Sequence, residues 1–514
     1  PLPLNLFSKS CKILDTNKIG LLYIKSYKLM KIISQVNQSP TTQMNFLRDG
    51  NLICHYQDFP EVFDSLQKTI KERGVTKENN ICLEIENSLT SAIALLFLLE
   101  KGYSFLLLPK PQKKSSPINY EQFIPSFCRY KLTTENLTNN DKEINLIDPD
   151  KYLQIEENPE WINNKSKISD TQPKLYIKTS GSTGKPKIAV HSHYKLEGNV
   201  RNCVNRLGLN SNDRVAIPVP IYHMYGLGAA FLPSVSVGAS IDLQKGSNLL
   251  IYLQREQQFN PNVAFMTPIF CETLLKGRKS PRKYRLTVAA GDRYREETFS
   301  KYESRMGTLV KLYGSTEMGA ISAASPDEPI EIRSQTVGQP MAEVQMRLQV
   351  SPESGKKEED LGELWCYHNY GFDGYVDNHG DPVHQSPENK LDGWFRTKDL
   401  GRILADGHIE VLGRCDHSVN RDGLLVFFSE VEQAIESISG IDSVVVVSKG
   451  ESQRGKALTA YCVPAKGIEI SAGEIKTFCF NILPKRAIPN YIYIVKNLPL
   501  MPNGKVDRQK LMNQ

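Results

Sequence analysis

The sequence predicts an α/β protein in which a large N-terminal domain of sheets and helices precedes a small α+β C-terminal domain. Three observations predict this. From about residue 80 short apolar segments alternate with helical patterns, the mark of a largely parallel sheet with helices on its faces. A boundary falls at Gly413-Arg414-Cys415-Asp416, and the compact helix-and-strand pattern after it is about 100 residues long, enough for a small domain. The chain has 514 residues, 40% of them apolar and 23% charged. It can bury a core, and it is not disordered, collagen-like or a disulfide-stapled miniprotein.

The elements follow in order. Ile81–Ile85 reads as a strand, Ser88–Leu99 as a buried helix and Ser104–Leu108 as a second strand. Further strands are expected at Leu175–Lys178, Val215–Pro218, Val263–Met266, Leu286–Ala289 and Leu309–Leu312, with helices between them. Val344–Val350 and Gly362–Tyr367 read as antiparallel β structure. Ser351–Leu361 and Asp377–Asp392 read as surface loops because they are polar and rich in turn formers. Beyond the boundary come a helix near Ser429–Ser437, strands at Ser443–Ser448 and Leu458–Val463, and a helix near Ala472–Leu483. The domain limits expected are 1–44 for a lead segment outside the fold, 45–414 for the N-terminal domain and 415–514 for the C-terminal domain. Met30 and Met44 are alternative starts, because the first residue is Pro1.

The net charge of +6 invites a polyanionic partner. Residues 1–50 hold seven Lys and Arg against two Asp, so five of those charges lie in the lead segment. The rest of the chain is balanced and has no polybasic footprint, which argues against a nucleic-acid partner. The ten cysteines are scattered, with no CxxC pair, as expected of buried thiols in a reducing compartment. The longest apolar run, Ala92–Leu99, is far short of the roughly 20 residues a membrane helix needs. A cytoplasmic protein without integral membrane association is expected.

The sharpest local signal is Thr179-Ser180-Gly181-Ser182-Thr183-Gly184-Lys185-Pro186-Lys187 after a predicted strand. Glycines allow consecutive backbone N–H groups to face one point, while hydroxyls and lysines add donors and positive charge, so the loop suits a polyphosphate. It is not a Walker A loop, because Thr179 and Pro186 stand where that pattern requires Gly and Ser or Thr. Four more segments follow: Tyr313-Gly314-Ser315-Thr316-Glu317, Gly393-Trp394-Phe395-Arg396-Thr397-Lys398-Asp399, Gly413-Arg414-Cys415-Asp416, and the stretch from Pro499 through Gly504-Lys505-Val506-Asp507-Arg508. Tyr313 offers a flat face for a purine, and Thr316 a hydroxyl for a phosphate oxygen. Glu317 is a hard oxygen ligand suited to Mg²⁺ beside ATP phosphates. Asp399 can accept from both hydroxyls of a ribose, with Arg414 in reach of the same sugar.

In this order the five segments resemble the signatures of the adenylate-forming superfamily: acyl- and aryl-CoA synthetases, nonribosomal adenylation domains and firefly-type luciferases. The resemblance spans roughly residues 45 to 511. It implies a multi-subdomain N-terminal domain with mixed sheets and a mobile C-terminal domain. It also implies an AMP-forming acid–thiol ligase that uses ATP, Mg²⁺ and coenzyme A or carrier-protein phosphopantetheine. A carboxylate would attack the α-phosphorus of ATP, and a thiol would then displace AMP from the acyl-adenylate. Gly291 and Asp292 would lie beside the adenine. Lys505 would bridge the two anions of the first step, lowering their repulsion. The C-terminal domain would turn about Asp416 to bring up the loop around Gly423, where a missing side chain lets a pantetheine arm pass.

Ile221-Tyr222-His223-Met224-Tyr225-Gly226 resembles the segment that gates the acyl site, with His223 as the gate. Amino-acid-activating relatives place an Asp after the gate. Met224 stands here, and an unpaired ammonium would be costly beside it, so a simple organic or fatty carboxylic acid is expected. Three positions depart from the family: Lys398 replaces the usual Gly, Leu424-Leu425 an aromatic and a basic residue, and Asn420-Arg421 a lysine-containing pair. The alternatives are a ligase that loads an acyl carrier protein and a non-catalytic nucleotide-binding homologue. Retention of Thr183, Thr316, Glu317, Asp399 and Lys505 argues against the second.

Overall fold

A computed structural model describes residues 32–36, 40–50, 52–111, 124–135, 146–162, 172–179, 187–245, 248–291, 294, 296–349, 361–384, 390–415, 417–421, 424–452, 455–501 and 506–513. Two mixed sheets form the large N-terminal part. In the nine-stranded sheet, parallel strands run from Phe46–Asp49 through Ser240–Leu243, Arg214–Ile217, Val263–Met266 and Tyr284–Ala290 to Gly307–Ser315. Antiparallel strands close both edges. The eight-stranded sheet has a parallel centre at Asn80–Ile85, Ser104–Pro109, Cys128–Thr134 and Lys174–Thr179. The strand Lys187–Ser192 turns back antiparallel beside Lys174–Thr179.

The helix Leu89–Lys101 shows why the strand–helix alternation works. Ser88 caps it by accepting from the Ser91 amide, and Gly102, at φ 72°, ends it in the left-handed conformation. Every residue from Leu89 to Glu100 is buried. A helix apolar on all sides must be covered on all sides, and its leucines join the main core with residues of both sheets. That core reaches back past the expected start at residue 45. Ile33 and Val36 are buried at 3% and 4% exposure, and the Ile33 amide donates to Glu100. Within the lead segment, Ile33 and Val36 are therefore packed rather than outside the fold, because these two apolar side chains join the core around the central helix.

The strands Val344–Gln349, Gly362–His368, Trp394–Ile403 and Ile409–Arg414 form a third, antiparallel sheet, the first two where antiparallel structure was expected. The expected loop Asp377–Asp392 contains the short strand Pro382–Val383, paired with Gly374–Val376. Ser351–Gly355 and the charged residues up to Asp360 lie outside the described residues. After Arg414 a separate core gathers Val426, Val431, Ile435, Val446, Leu458 and Ile475. Its helix Ala472–Ile482 starts with a capping box between Ser471 and Glu474. Among the described residues no helix is long and apolar enough to cross a membrane. The nine described cysteines are free thiols, and only Cys415 is not buried.

Three core histidines give the fold a pH dependence. Burial holds His191 and His368 down to about 4 and His193 to about 3. In the unfolded chain they titrate near 6.5. Between these limits the unfolded state binds more protons than the native state, so stability falls as the pH falls. Each histidine contributes roughly 1.4 kcal/mol per pH unit at most through that window. The melting temperature should drop steadily from pH 6.5 toward pH 4, and His193→Leu should make the slope shallower. A flat melting temperature over that range would contradict this.

Candidate active site

Several sequence-predicted residues gather at the carboxyl edge of the nine-stranded sheet, where α/β sheets place their ligands. Tyr313 to Ser315 end the strand Gly307–Ser315, and Thr316 and Glu317 follow in a turn. Gly291, at φ 101°, directly follows the neighbouring strand Tyr284–Ala290. His223 follows Arg214–Ile217 after a short turn. Gly314 is a steric requirement of the Tyr313–Glu317 motif: an added Cβ would meet the Gly319 carbonyl oxygen at 2.2 Å.

Tyr313, Asp399 and Arg414 are brought together from three strands. The Tyr313 hydroxyl donates to Asp399 Oδ2 at 2.5 Å, and Arg414 Nη1 lies 3.4 Å from Asp399 Oδ1. Strand register explains the second contact, because Asp399 and Arg414 are direct antiparallel partners. Desolvation and the adjoining carboxylate hold the Tyr313 phenol well above its ordinary pKa, so it stays a donor. An ionised carboxylate has about four acceptor sites on its two oxygens, the capacity that binding a diol as well would draw on.

Glu317 is held by the Tyr375 hydroxyl, which donates to Oε1 at 2.6 Å. Burial, then the Glu317 charge, pushes the Tyr375 phenol well up. The Lys187 ammonium sits 5.3 Å from the centre of the Tyr375 ring, a cation–π distance. Lys187 thus stands one aromatic ring away from Glu317. It is paired across the sheet with Thr179, so the strands flanking the glycine-rich loop close its stem. Ser180, Gly181, Ser182, Thr183, Gly184 and Lys185 themselves lie outside the described residues, as do Asp292, Asp416, Gly423 and Lys505. On either side of Gly423, Arg421 and Leu424 are paired.

His223 is half-buried, its ring 4.6 Å from that of Tyr222. A π-helix follows at Tyr225–Phe231. Gly226 permits it, since a Cβ there would meet the Pro220 carbonyl oxygen at 2.0 Å. The Tyr225 hydroxyl lies within hydrogen-bond reach of the Met266 and Val288 carbonyls, tying this segment to the strand ends beside Gly291. Met224 is buried.

Two departures gain a physical account. Lys398 has φ 62°, a left-handed conformation that favours glycine and costs other residues about 1 kcal/mol or more. The family's Gly at this position therefore answers a backbone demand. Lys398 accepts the Cys415 amide at 2.8 Å, so the strained residue is pinned to the segment that leads out of the N-terminal part. Arg421 is 2% exposed, and its guanidinium donates to Ile488 O and Asn490 Oδ1. It serves the packing of the C-terminal unit. Sequence reading missed Tyr375, His191 and His368. Tyr375 follows a Gly in an aromatic-rich stretch, and nothing local marks the two histidines.

A family profile described as AMP-binding enzyme matches residues 127–376, and one described as AMP-binding enzyme C-terminal domain matches 430–505. Together they take in more than half of the chain. Gramicidin S synthase 2 of Brevibacillus brevis is 26% identical over 476 residues, covering 89% of this chain but 10% of that protein. The medium-chain acyl-CoA ligase ACSF2 of Macaca fascicularis is 28% identical over 359 residues, 65% of this chain and 56% of the relative. The chain thus spans a minor part of the longest relatives it matches. Among solved structures, ATP-bound MatB from Rhodopseudomonas palustris superposes with a TM-score of 0.78 at 20% identity, covering 94% of this chain and 98% of that one. The o-succinylbenzoate CoA synthetase MenE from Bacillus subtilis, in complex with its acyl-adenylate, gives 0.74 at 20% identity, covering 94% and 97%. These two likenesses show the fold. The chain belongs to the AMP-binding enzymes of the adenylate-forming superfamily.

Proposed function

We propose that this chain activates an organic or fatty carboxylic acid as its acyl-adenylate and transfers the acyl group to coenzyme A. The observation that carries the reading is the convergence of Tyr313, Asp399 and Arg414 with the Thr316–Glu317 turn at one sheet edge. Asp399 would take the ribose hydroxyls, with Tyr313 and Arg414 holding its carboxylate in place. Thr316 and the glycine-rich loop, Thr179 to Lys187, would hold the phosphates.

In the first half-reaction a carboxylate oxygen of the acid attacks the α-phosphorus, and the bond to pyrophosphate breaks with its electron pair. Lys505 would steady the charge that builds between acid and phosphate. In the second, a thiolate attacks the acyl carbon and AMP leaves. Mg²⁺ binds through one or two carboxylates plus substrate phosphates, and Glu317, oriented by the Tyr375 hydroxyl on Oε1, would hold it. When bound, Mg²⁺ supplies neutralisation of the phosphate charge.

Buried Met224 supports an acid without an α-ammonium, which would be costly to leave unpaired there. The acceptor is tested by following AMP release with coenzyme A and, separately, with a holo-carrier protein. Coenzyme A should drive multiple turnovers. Turnover with the holo-carrier alone would assign the chain to carrier loading instead, which its likeness to gramicidin S synthase 2 makes the second reading.

A further inference from the structure

Three consecutive carbonyls of the turn after the Tyr313–Ser315 strand end are held from outside it. His191 Nε2 lies 2.8 Å from Thr316 O, the Phe372 amide donates to Glu317 O at 2.7 Å, and His368 Nδ1 lies 2.7 Å from Met318 O. A carbonyl oxygen only accepts, so the geometry sets both tautomers: the proton is on Nε2 of His191 and on Nδ1 of His368. Both imidazoles are buried, at 2% and 8% exposure. They come from different sheets, His191 from the strand after the glycine-rich loop and His368 from the antiparallel sheet. With each carbonyl held, the peptide planes of the turn cannot rotate independently. That sets the directions in which the side chains of Thr316 and Glu317 leave the backbone.

Neither histidine belongs to any of the five motifs. We infer that His191 and His368 are positioning residues for acyl-adenylate formation, acting through the backbone of the Thr316–Met318 turn rather than on substrate. The inference rests on the ligase reading, since it concerns how Thr316 and Glu317 meet ATP.

The two different ring nitrogens provide the test. The amide nitrogen of Gln reaches about as far as Nε2 of His, and that of Asn about as far as Nδ1. His191→Gln and His368→Asn therefore keep the donor in place. His191→Asn and His368→Gln keep a polar amide of similar size but misplace it. Pyrophosphate exchange, ATP KM and melting temperature are measured for all four full-length variants. The matched pair should retain kcat within about threefold. The mismatched pair should lose roughly 30- to 100-fold in kcat, because misplacing a reacting group by about 1 Å costs up to about 100-fold. The ATP KM should change much less than kcat, and melting temperatures within each histidine's pair should agree. Equal kcat for matched and mismatched variants, with wild type active, would overturn the inference and leave the ligase reading standing, as would activity losses that track melting temperature. Wild-type protein without exchange on any acid would overturn both.

Discussion

Lys505→Ala is expected to lower acyl-adenylate formation by roughly 100- to 1000-fold, the range seen when one preorganised charge-stabilising group is removed. Thioester formation from supplied acyl-adenylate should fall less than about threefold. The physical reason is that the two half-reactions build charge differently. The first brings a carboxylate onto a polyphosphate, two anions whose repulsion an ammonium between them relieves. The second joins a thiolate to an acyl carbon that has already lost its carboxylate charge. Lys505 itself lies outside the described residues, but the stem of its loop is formed. Leu500 and Val506 bridge antiparallel, and the Asp507 amide donates to Pro499 O at 2.8 Å. Rapid-quench measurement of the two steps checks the expectation, and equal loss of both would contradict the division of labour.

Asp399→Ala should raise the ATP KM by roughly 100-fold or more. Two hydrogen bonds from a sugar to a carboxylate, each carrying about 1.5 kcal/mol or more, set that scale. The substitution also leaves the Tyr313 hydroxyl and the Arg414 guanidinium without the carboxylate they now share. Those groups then reorganise, so a modest fall in melting temperature should accompany the loss of affinity. Asp399→Asn keeps the shape and one acceptor and should fall between wild type and Ala. An ATP KM for Asp399→Ala within about twofold of wild type would remove Asp399 from the nucleotide site.

Much of this architecture was legible in the sequence because it rests on local chemistry. The buried helix after Ser88 announces itself by an unbroken apolar run between a serine cap and a glycine stop, and the strands around it by short apolar segments. The Asp399–Arg414 pair was legible as two motif members, although their direct cross-strand register was not. What could not be read was mostly nonlocal. Ile33 and Val36 look like an undistinguished tail until the central helix they cover is in place. Arg421 reads as one member of a replaced pair after the hinge, yet its partners at Ile488 and Asn490 lie some 70 residues onward in sequence. Lys398 reads as a change of bulk and charge, whereas its main consequence is a left-handed backbone. The hold on Glu317 comes from Tyr375, which only the sheet brings near.

The central claim is that this sheet edge joins a carboxylic acid to the α-phosphate of ATP. Acid-dependent exchange of labelled pyrophosphate into ATP, measured across aliphatic, aryl and amino acids, tests it most directly. Exchange should depend on Mg²⁺ and on an aliphatic or aryl acid, with amino acids slower. Faster exchange with amino acids would contradict the reading of Met224, and bound ATP with no exchange on any acid would contradict the ligase itself.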